Sequence, residues 1–409
     1  MARILVLGGG FAGLWAAVGA ARKVDETGVL PGEVEILLVD RNPYHNIRVR
    51  NYEIDLDNVA ISLGEVLDPI GVDHLTAEVQ TIDIAKQQVG VATRDGEKSL
   101  TYDRLVLALG SELARPNLPG LAGNCFDVDT YSAAVRLNTH IAALGASPAS
   151  EGRSTVVVVG AAFTGIEVAT EMPSKLRRAL PAGAPRVILV DHNAVVGATI
   201  GAHARPIICE ALGKLGIETR LDTKVTAIEA TGIALASGEI IPTQTVMCCA
   251  GMRASPLTAT LPGKRDRFGR VAVDPFMRVA GLTNVFAAGD AASSQVDGEH
   301  FTVMSCQFAR PMGRFAGHNV VADLLGRPML PLRVDWYVTV LDLGSWGALY
   351  TMGWDRQVFS RGENAKAVKQ MINQQRIYPP RMGTREDILA AAAPIVQAPP
   401  QYSAGGGGR

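Results

Sequence analysis

The strongest indication of the fold is a glycine-rich stretch near the N-terminus, Ile4-Leu5-Val6-Leu7-Gly8-Gly9-Gly10-Phe11-Ala12-Gly13. An apolar run of strand length leads directly into a glycine-rich turn, and small residues of helical character follow the turn. A second apolar run, residues 34–39, ends at Asp40. Strand, glycine turn, helix, strand and acid, in this order, predict a βαβ unit that binds a dinucleotide.

Each glycine of the turn has a separate physical task in such a unit. Gly8 permits the tight turn, Gly10 lets the backbone approach a pyrophosphate, and Gly13 allows close packing of helix and strand. The helix N-terminus offers free N–H groups to the phosphates, and Asp40 can accept hydrogen bonds from a ribose. The alternative is an ordinary βαβ turn with chance glycines. The predicted cofactor-binding residues are Gly8, Gly10, Phe11, Ala12, Gly13, Asp40 and Arg41.

A second copy of the unit begins about 152 residues later. The β-branched run 155–159 opens on Gly160-Ala161-Ala162-Phe163-Thr164-Gly165, and the next apolar run ends at Asp191. Ala162 replaces the middle glycine, so its Cβ holds a pyrophosphate slightly further from the backbone. The acid at position 191 favours NAD(H), because a carboxylate repels the 2′-phosphate of NADP(H). The predicted binding residues of this copy are Gly160, Ala162, Phe163, Thr164, Gly165 and Asp191.

Composition limits the remaining possibilities. A chain of 409 residues predicts two or three domains, and 47% hydrophobic with 19% charged residues is typical of a globular protein. A net charge of −1 gives no footprint for nucleic acid. The first strand is reached by residue 4, no apolar run is long enough to span a membrane, and the five cysteines form no disulfide framework. We therefore expect a cytoplasmic protein without a metal site and with at most peripheral membrane contact.

Three further strand-like segments accompany the two glycine turns. Residues 102–111 and 245–251 each read as a strand that ends in glycine, and residues 283–290 read as a strand that stops at an acid. With the two glycine turns, the chain resembles the flavoproteins of the pyridine nucleotide oxidoreductase superfamily, most of all type II NADH dehydrogenases. The resemblance covers about residues 2–325. It implies that the first unit binds FAD, that the second binds NAD(H), and that Asp290 contacts the ribityl chain of the flavin.

The resemblance also implies the fold and the domain boundaries. We expect an α/β protein with two Rossmann-type domains, in which the NAD(H) domain is inserted into the FAD domain, and a smaller C-terminal module. The expected divisions are residues 1–118 and 252–325 for the FAD domain, 119–251 for the NAD(H) domain, 326–396 for an α+β module and 397–409 for a disordered tail. Further cofactor-binding residues implied by the resemblance are Ala108, Gly110, Gly251, Gly289 and Asp290.

Two catalytic residues follow from the same resemblance. Glu167 matches an acid near the nicotinamide and the flavin, although a solvated acid in a first helical turn is the alternative. Gln307 matches the first glutamine of a segment that lines the quinone tunnel, whereas Pro311 stands at the place of the second glutamine. Asp290 has the alternative of a helix N-cap. We expect no acid–base triad, because hydride transfer needs ring stacking and exclusion of water.

The chain departs from related families in ways that bear on its acceptor. Residues 41–56 contain no cysteine pair of the kind that disulfide reductases use, and Cys306 is the one cysteine for which a redox role stays open. The basic stretch 360–375 and a short helix near 385–396 show no convincing membrane face. An acceptor pocket more polar than a quinone tunnel is hypothesised around residues after Asp40, namely Tyr44, His45, Arg48, Arg50 and Tyr52.

The sequence thus predicts an FAD-dependent enzyme that takes hydride from NADH and reduces a quinone or another small aromatic acceptor. One alternative is a reductase of a redox protein, similar to ferredoxin or rubredoxin reductases. Another is a flavin-binding protein in which both nucleotides serve a regulatory role. A homodimer is a further open possibility, since the resembling family includes dimers.

Overall fold

The computed structural model describes residues 1–30, 32–381 and 383–401. A five-stranded parallel sheet, the first sheet, contains the N-terminal strand at its centre. Its strands in spatial order are Val285–Ala287, Arg104–Leu107, Ala2–Leu7, Val34–Asp40 and Asp73–Thr76. Residues from distant parts of the chain therefore meet at the carboxyl ends of these strands, where ligands of open parallel sheets bind.

A four-stranded parallel sheet, the second sheet, repeats this arrangement. Its strands in spatial order are Ile217–Arg220, Arg186–Val190, Thr155–Val159 and Thr245–Cys248. The central pair of strands is buried except at Val159 and Arg186, as expected for apolar runs covered on both faces. Two parallel sheets, each with a glycine turn after a central strand, confirm the predicted α/β class.

The described helices divide between these sheets and the C-terminal region. In chain order they are α1 (Phe11–Thr27), α2 (Leu63–Leu67), α3 (Leu121–Asn124), α4 (Tyr131–Ala143), α5 (Phe163–Ala179), α6 (Arg205–Lys214), α7 (Cys306–Leu324), α8 (Glu363–Met371) and α9 (Arg385–Ala391). Helices α1 and α5 begin directly after the two glycine turns. No helix of the described chain is long and apolar enough to cross a membrane.

Smaller strands join and cover the two main sheets. An antiparallel ribbon of two strands, Ser111–Leu113 with Met252–Ala254, links the segments that leave and re-enter the first sheet's region. Two antiparallel three-stranded sheets lie outside the main sheets. Their strands are Glu78–Asp83, Gln88–Thr93 and Gly96–Thr101 in one, and Val225–Glu229, Gly232–Leu235 and Ile240–Pro242 in the other. Two short pairs are Tyr44–Asn46 with Ala60–Ser62, and Val271–Ala272 with Ala292–Ser293.

Helices α1 and α7 pack against each other at unusually short range. A Cβ at Gly317 would lie 2.1 Å from the carbonyl oxygen of Ala16, and one at Gly313 would meet the carbonyl of Ala12 in the same way. Only glycine permits this approach of two helical backbones. The packing brings the first residues of α7 next to the first glycine turn, so the start of α7 becomes part of the same site.

The C-terminal region consists of a three-stranded antiparallel sheet with α8 beside it. The strands are Val338–Asp342, Ala348–Met352 and Gln357–Gly362. The Tyr350 hydroxyl donates a hydrogen bond of 2.7 Å to the carbonyl oxygen of Pro400, which is buried. Disorder was predicted to begin at residue 397, and this contact contradicts that start, because a buried tyrosine binds the segment. Residues 402–409 of the predicted tail lie outside the described part.

Candidate active site

One continuous cavity of about 1360 Å³ joins the two glycine turns, the start of α7 and the C-terminal sheet. It has room for a dinucleotide and further ligands, since drug-sized pockets measure ~300–1,000 Å³. Most of the predicted cofactor-binding residues line it. They are Gly8, Gly10, Phe11, Ala12, Asp40, Arg41, Ala108, Gly110, Ala162, Phe163, Thr164, Gly251, Gly289 and Asp290. The two predicted catalytic residues, Glu167 and Gln307, line it as well.

The first glycine turn has the geometry that a pyrophosphate requires. Gly8 has a φ of +105°, and a Cβ at Gly10 would have no neighbour within 4 Å, so the backbone at Gly10 faces open space. The Asp40 carboxylate accepts hydrogen bonds from the N–H groups of Gly9 at 2.6 Å and Asn42 at 2.7 Å. Burial raises the pKa of Asp40, against the opposing effect of these bonds. The carboxylate thus fixes the turn and still borders the cavity.

The second turn reproduces the first atom for atom in its hydrogen bonds. Asp191 accepts from the N–H groups of Ala161 at 2.5 Å and Asn193 at 2.7 Å. Ala162 has φ −87° and ψ −168°, close to −72° and −169° at Gly10. This extended conformation suits any residue, so alanine is accommodated without backbone strain.

Four predicted residues lie outside the cavity. Gly13 and Gly165 occupy equivalent places, and a Cβ at either would lie 1.7 Å from the carbonyl oxygen of Gly8 or Gly160. They therefore permit helix–strand packing and do not line the cavity. Gly160 and Asp191 are also absent from the cavity lining. For Asp191 the structure shows a buried carboxylate that stabilises the second turn.

Glu167 is not the solvated acid of the alternative interpretation. Its side chain is 7% exposed and pairs with Lys369 of α8, with 2.8 Å between Oε1 and Nζ. The same oxygen accepts the Asp342 N–H at 3.0 Å. Burial raises the pKa of Glu167, and Lys369 opposes this rise. A buried ion pair between α5 and the C-terminal region therefore borders the cavity.

A polar network surrounds Asp290, which also lines the cavity. The Ser111 hydroxyl donates to Asp290 at 2.6 Å, and Arg48 donates to the same hydroxyl at 3.1 Å. Arg48 also forms an ion pair with Asp129. Asp290 is exposed to the cavity and keeps an oxygen for a hydroxyl ligand. The positive charge of Arg48 is neutralised by Asp129, so Arg48 positions this wall more than it attracts anions.

Of the five residues in the hypothesised polar acceptor pocket after Asp40, three line the cavity and two do not. Tyr44, Arg48 and Tyr52 line the cavity. His45 is wrong for this role because it is fully buried and its Nδ1 lies 2.9 Å from the Gly9 carbonyl oxygen. Arg50 is also wrong, because it is buried in an ion pair with Glu53 away from the cavity lining.

The start of α7 carries the predicted acceptor residues. Gln307 lines the cavity, and its Nε2 is buried with no hydrogen-bond partner in the described chain. Cys306 beside it is a free thiol whose pKa is raised by burial. No grouping of three or more potential metal ligands occurs among the described residues.

A protein-family model described as pyridine nucleotide-disulphide oxidoreductase matches residues 2–313. The chain belongs to this family. The match spans both glycine turns and ends within α7. Membership confirms the predicted class of enzyme, an NAD(P)H-dependent oxidoreductase, and the predicted cofactors FAD and NAD(H).

Relatives within the family are similar over nearly the whole chain. An NADH dehydrogenase-like protein of Mycobacterium tuberculosis is 54% identical over 403 residues, which are 98% of this chain and 100% of the relative. The demethylphylloquinone reductase of Synechocystis is 30% identical over 85% of this chain and 86% of its own. The prediction of similarity to NADH dehydrogenases is confirmed.

Solved structures share the fold. The structure of NDH2 from Plasmodium falciparum in complex with NADH has a TM-score of 0.76 at 12% identity and covers 95% of this chain and 97% of that chain. The sulfide:quinone oxidoreductase of Aquifex aeolicus has a TM-score of 0.75 at 17% identity, with 95% and 93% covered. The predicted fold class is confirmed by this similarity.

Sequence reasoning missed three basic residues of the cavity wall. Lys369 was part of a stretch interpreted only as basic, yet it is the partner of Glu167. Arg310 and Arg314 were passed over within an apolar, helical segment, but both are buried and line the cavity. Their spacing of four residues places them on one face of α7, which is the signal that could have identified them.

Proposed function

We propose that this protein oxidises NADH and reduces a small quinone-type acceptor. The main observation in support is that both glycine turns, the Glu167–Lys369 pair and Gln307 line one cavity. A nicotinamide held at the second turn and a flavin held at the first would therefore meet in one place. The similarity to the demethylphylloquinone reductase of Synechocystis supports the choice of acceptor.

The first turn fits FAD by its own geometry. Gly10 leaves open space where a pyrophosphate approaches, and the N–H groups at the start of α1 point into that space. Asp290 offers a carboxylate oxygen to a ribityl hydroxyl. When bound, FAD supplies the two-electron chemistry that amino acid side chains lack.

The residues of the chain bind and orient NADH and hold a proton for the acceptor. The second turn holds the pyrophosphate of NADH at Ala162–Thr164, and Asp191 keeps that turn in shape. Lys369 holds a proton at Nζ inside the cavity, stabilised by Glu167. The overall reaction is NADH, one proton and a quinone giving NAD⁺ and a quinol, so two electrons and two hydrogens reach the acceptor.

We retain the proposed domain division. Residues 1–118 and 252–325 form the FAD domain, 119–251 the NAD(H) domain and 326–396 the C-terminal module. A cytoplasmic location with at most peripheral membrane contact, and a homodimer, are parts of the same proposal and derive support from the resemblance to type II NADH dehydrogenases.

Steady-state kinetics test the proposal. The FAD-loaded protein is assayed with NADH and either menadione or ubiquinone-1 in the absence of oxygen. We expect quinone-dependent NADH oxidation, with NADH preferred over NADPH. If NADH reduces the flavin but neither quinone reoxidises it, the acceptor is wrong. Reoxidation by a ferredoxin alone would identify a reductase of a redox protein instead.

A further inference from the structure

Two arginines on α7 are buried without any partner for their charge. Arg310 is 6% exposed and Arg314 is 3% exposed. Neither guanidinium makes a hydrogen bond or an ion pair within the described chain, and the Nε atoms of both are buried and unpartnered. The other buried arginine and lysine side chains of the described segments, Arg50, Lys175, Arg270 and Lys369, each have a hydrogen-bond partner.

The surroundings of these arginines offer donors and an aromatic face but no acceptor. The guanidinium carbons lie 5.4 Å (Arg310) and 4.4 Å (Arg314) from the ring centroid of Trp15, whose indole N–H is also buried and unpartnered. Arg376 is a third nearby cation. Burial lowers the pKa of both α7 arginines. The positive charges of Arg310 and Arg376 lower the pKa of Arg314 further.

Burying two unpaired guanidinium charges lowers the stability of the folded protein unless an anion binds beside them. A guanidinium keeps its proton in proteins, so the two charges persist. An isolated buried charge is strongly destabilising, and stacking on an aromatic ring recovers only about 2 kcal/mol of that cost. Two neighbouring guanidinium groups that line the cavity, with no carboxylate paired to them in the described chain, are the complement of an oxyanion, which arginine binds with its planar fork.

The position of the arginines connects them with the acceptor. Both line the cavity one and two turns after Cys306 and Gln307 on the same helix. An apolar wall of the same cavity is supplied by the C-terminal region, through Ile377, Ile395 and Val396. The arginines contact Trp15, four residues and about 6 Å along α1 from its start. They therefore lie beyond the N–H groups that the first turn presents to the cofactor phosphates.

We propose that the arginine cluster, Arg310 and Arg314, binds a carboxylate or similar oxyanion on the electron acceptor, so that the substrate is an acidic quinone. This inference rests on the proposed function and adds the chemical class of the substrate. The reaction is NADH, one proton and the carboxylated quinone giving NAD⁺ and the carboxylated quinol, and the carboxylate itself is unchanged. The other source of an oxyanion is the phosphate of the cofactor.

The test compares two acceptors that differ only in charge. One is 2-methyl-1,4-naphthoquinone with a propanoate chain at position 3, and the other is its methyl ester. We expect kcat/KM for the acid to exceed that for the ester by about 10- to 100-fold, the size of a charged hydrogen bond. Arg310→Met and Arg314→Met should remove this preference by lowering kcat/KM for the acid much more than kcat/KM for the ester. Arg361→Met, an exposed arginine paired with Glu210 outside the cavity, serves as the matched control.

Several results would overturn the proposal. One is equal kcat/KM for acid and ester in the unmodified enzyme. Another is a variant that loses both rates together. A third is loss of bound FAD in either variant, measured from the flavin spectrum after gel filtration, because it would assign the arginines to the cofactor phosphate. If the methionine variants do not fold, Arg310→Lys and Arg314→Lys keep the charge and should retain a reduced preference.

A binding measurement separates this inference from the proposed function. 2-Naphthoate and the neutral 2-naphthalenemethanol are titrated into the FAD-loaded protein, and the change in flavin absorbance is recorded. We expect saturable binding of the acid alone, weakened at least tenfold by Arg314→Met. Binding of this kind without turnover of any quinone would refute quinone reduction and support the anion site. Equal binding of both compounds would refute the anion site, whatever the enzyme reduces.

Discussion

Replacement of Lys369 by methionine tests the buried ion pair that joins α5 to the C-terminal region. The side chains of Glu167 and Lys369 are only 7% and 9% exposed, so water cannot replace the lost partner. Methionine keeps most of the volume and removes the charge. Breaking one half of a buried pair costs ~3–5 kcal/mol, because the remaining charge stays buried. The substitution should therefore destabilise the protein by that amount at neutral pH.

The expected effect on melting temperature follows from the chain length. An unfolding entropy of about 2.1 cal/mol/K per residue gives ~0.9 kcal/mol/K for 409 residues that unfold together. A loss of ~3–5 kcal/mol then lowers Tm by about 3–6 °C. Differential scanning calorimetry of the FAD-loaded protein measures this change in Tm. The double variant Lys369→Met with Glu167→Gln should recover part of the loss, since a neutral amide replaces the stranded carboxylate.

The loss of stability in Lys369→Met should depend on pH, and the pKa of Glu167 determines the direction of that dependence. Burial already raises the pKa of Glu167, and removal of Lys369 takes away the strongest opposing influence. A carboxyl whose folded pKa is raised favours the folded state at low pH and loses that contribution as pH rises through the folded pKa. The deficit of the single variant should hence be large at pH 8 and smaller at pH 5.5. An equal deficit at both pH values, or a double variant no more stable than the single, would refute this reasoning.

Three further substitutions probe the glycine turns and α7. Gly13→Val should abolish FAD binding, measured by flavin absorbance, because even its Cβ would lie 1.7 Å from the Gly8 carbonyl oxygen; a yellow variant would contradict the packing role. Ala162→Gly should lower KM for NADH by about two- to fivefold with kcat unchanged, since it restores the open approach found at Gly10; an unchanged KM would show that the methyl group does not meet the pyrophosphate. Cys306→Ser should keep turnover within about twofold, because partial burial raises the pKa of the thiol and the described structure pairs it with no other cysteine; a stronger loss would establish a redox role.

The architecture was predictable because it follows from local patterns. The order of strand, glycine turn, helix, strand and acid fixes a βαβ unit, and its second copy fixes a second sheet. Both turns also have the same hydrogen bonds, with Asp40 and Asp191 each closing the turn through two N–H groups. The sequence did not indicate this turn-closing role, because a carboxylate has several acceptor sites and can bind both backbone N–H groups and a ribose hydroxyl.

The walls of the cavity were harder to predict because their contacts are distant in sequence. Glu167 and Lys369 are 202 positions apart, and the pairing depends on how the C-terminal sheet meets α5. Arg310 and Arg314 appear as surface residues in a sequence, since arginine is rarely buried. Their burial results from the close packing of α7 on α1, which Gly313 and Gly317 allow. Tertiary packing therefore decides which charged side chains are buried beside the cavity.

The central claim is that NADH at the second turn delivers electrons to FAD at the first. The most direct measurement mixes the FAD-loaded protein anaerobically with NADH, and separately with NADPH, in a stopped-flow instrument, and follows flavin absorbance near ~450 nm, where oxidised flavin absorbs. The account predicts rapid bleaching by NADH and slower bleaching by NADPH. Rapid bleaching by NADPH alone would contradict the prediction that the acid at position 191 favours NADH. No bleaching by either nucleotide, with FAD bound, would contradict the account as a whole.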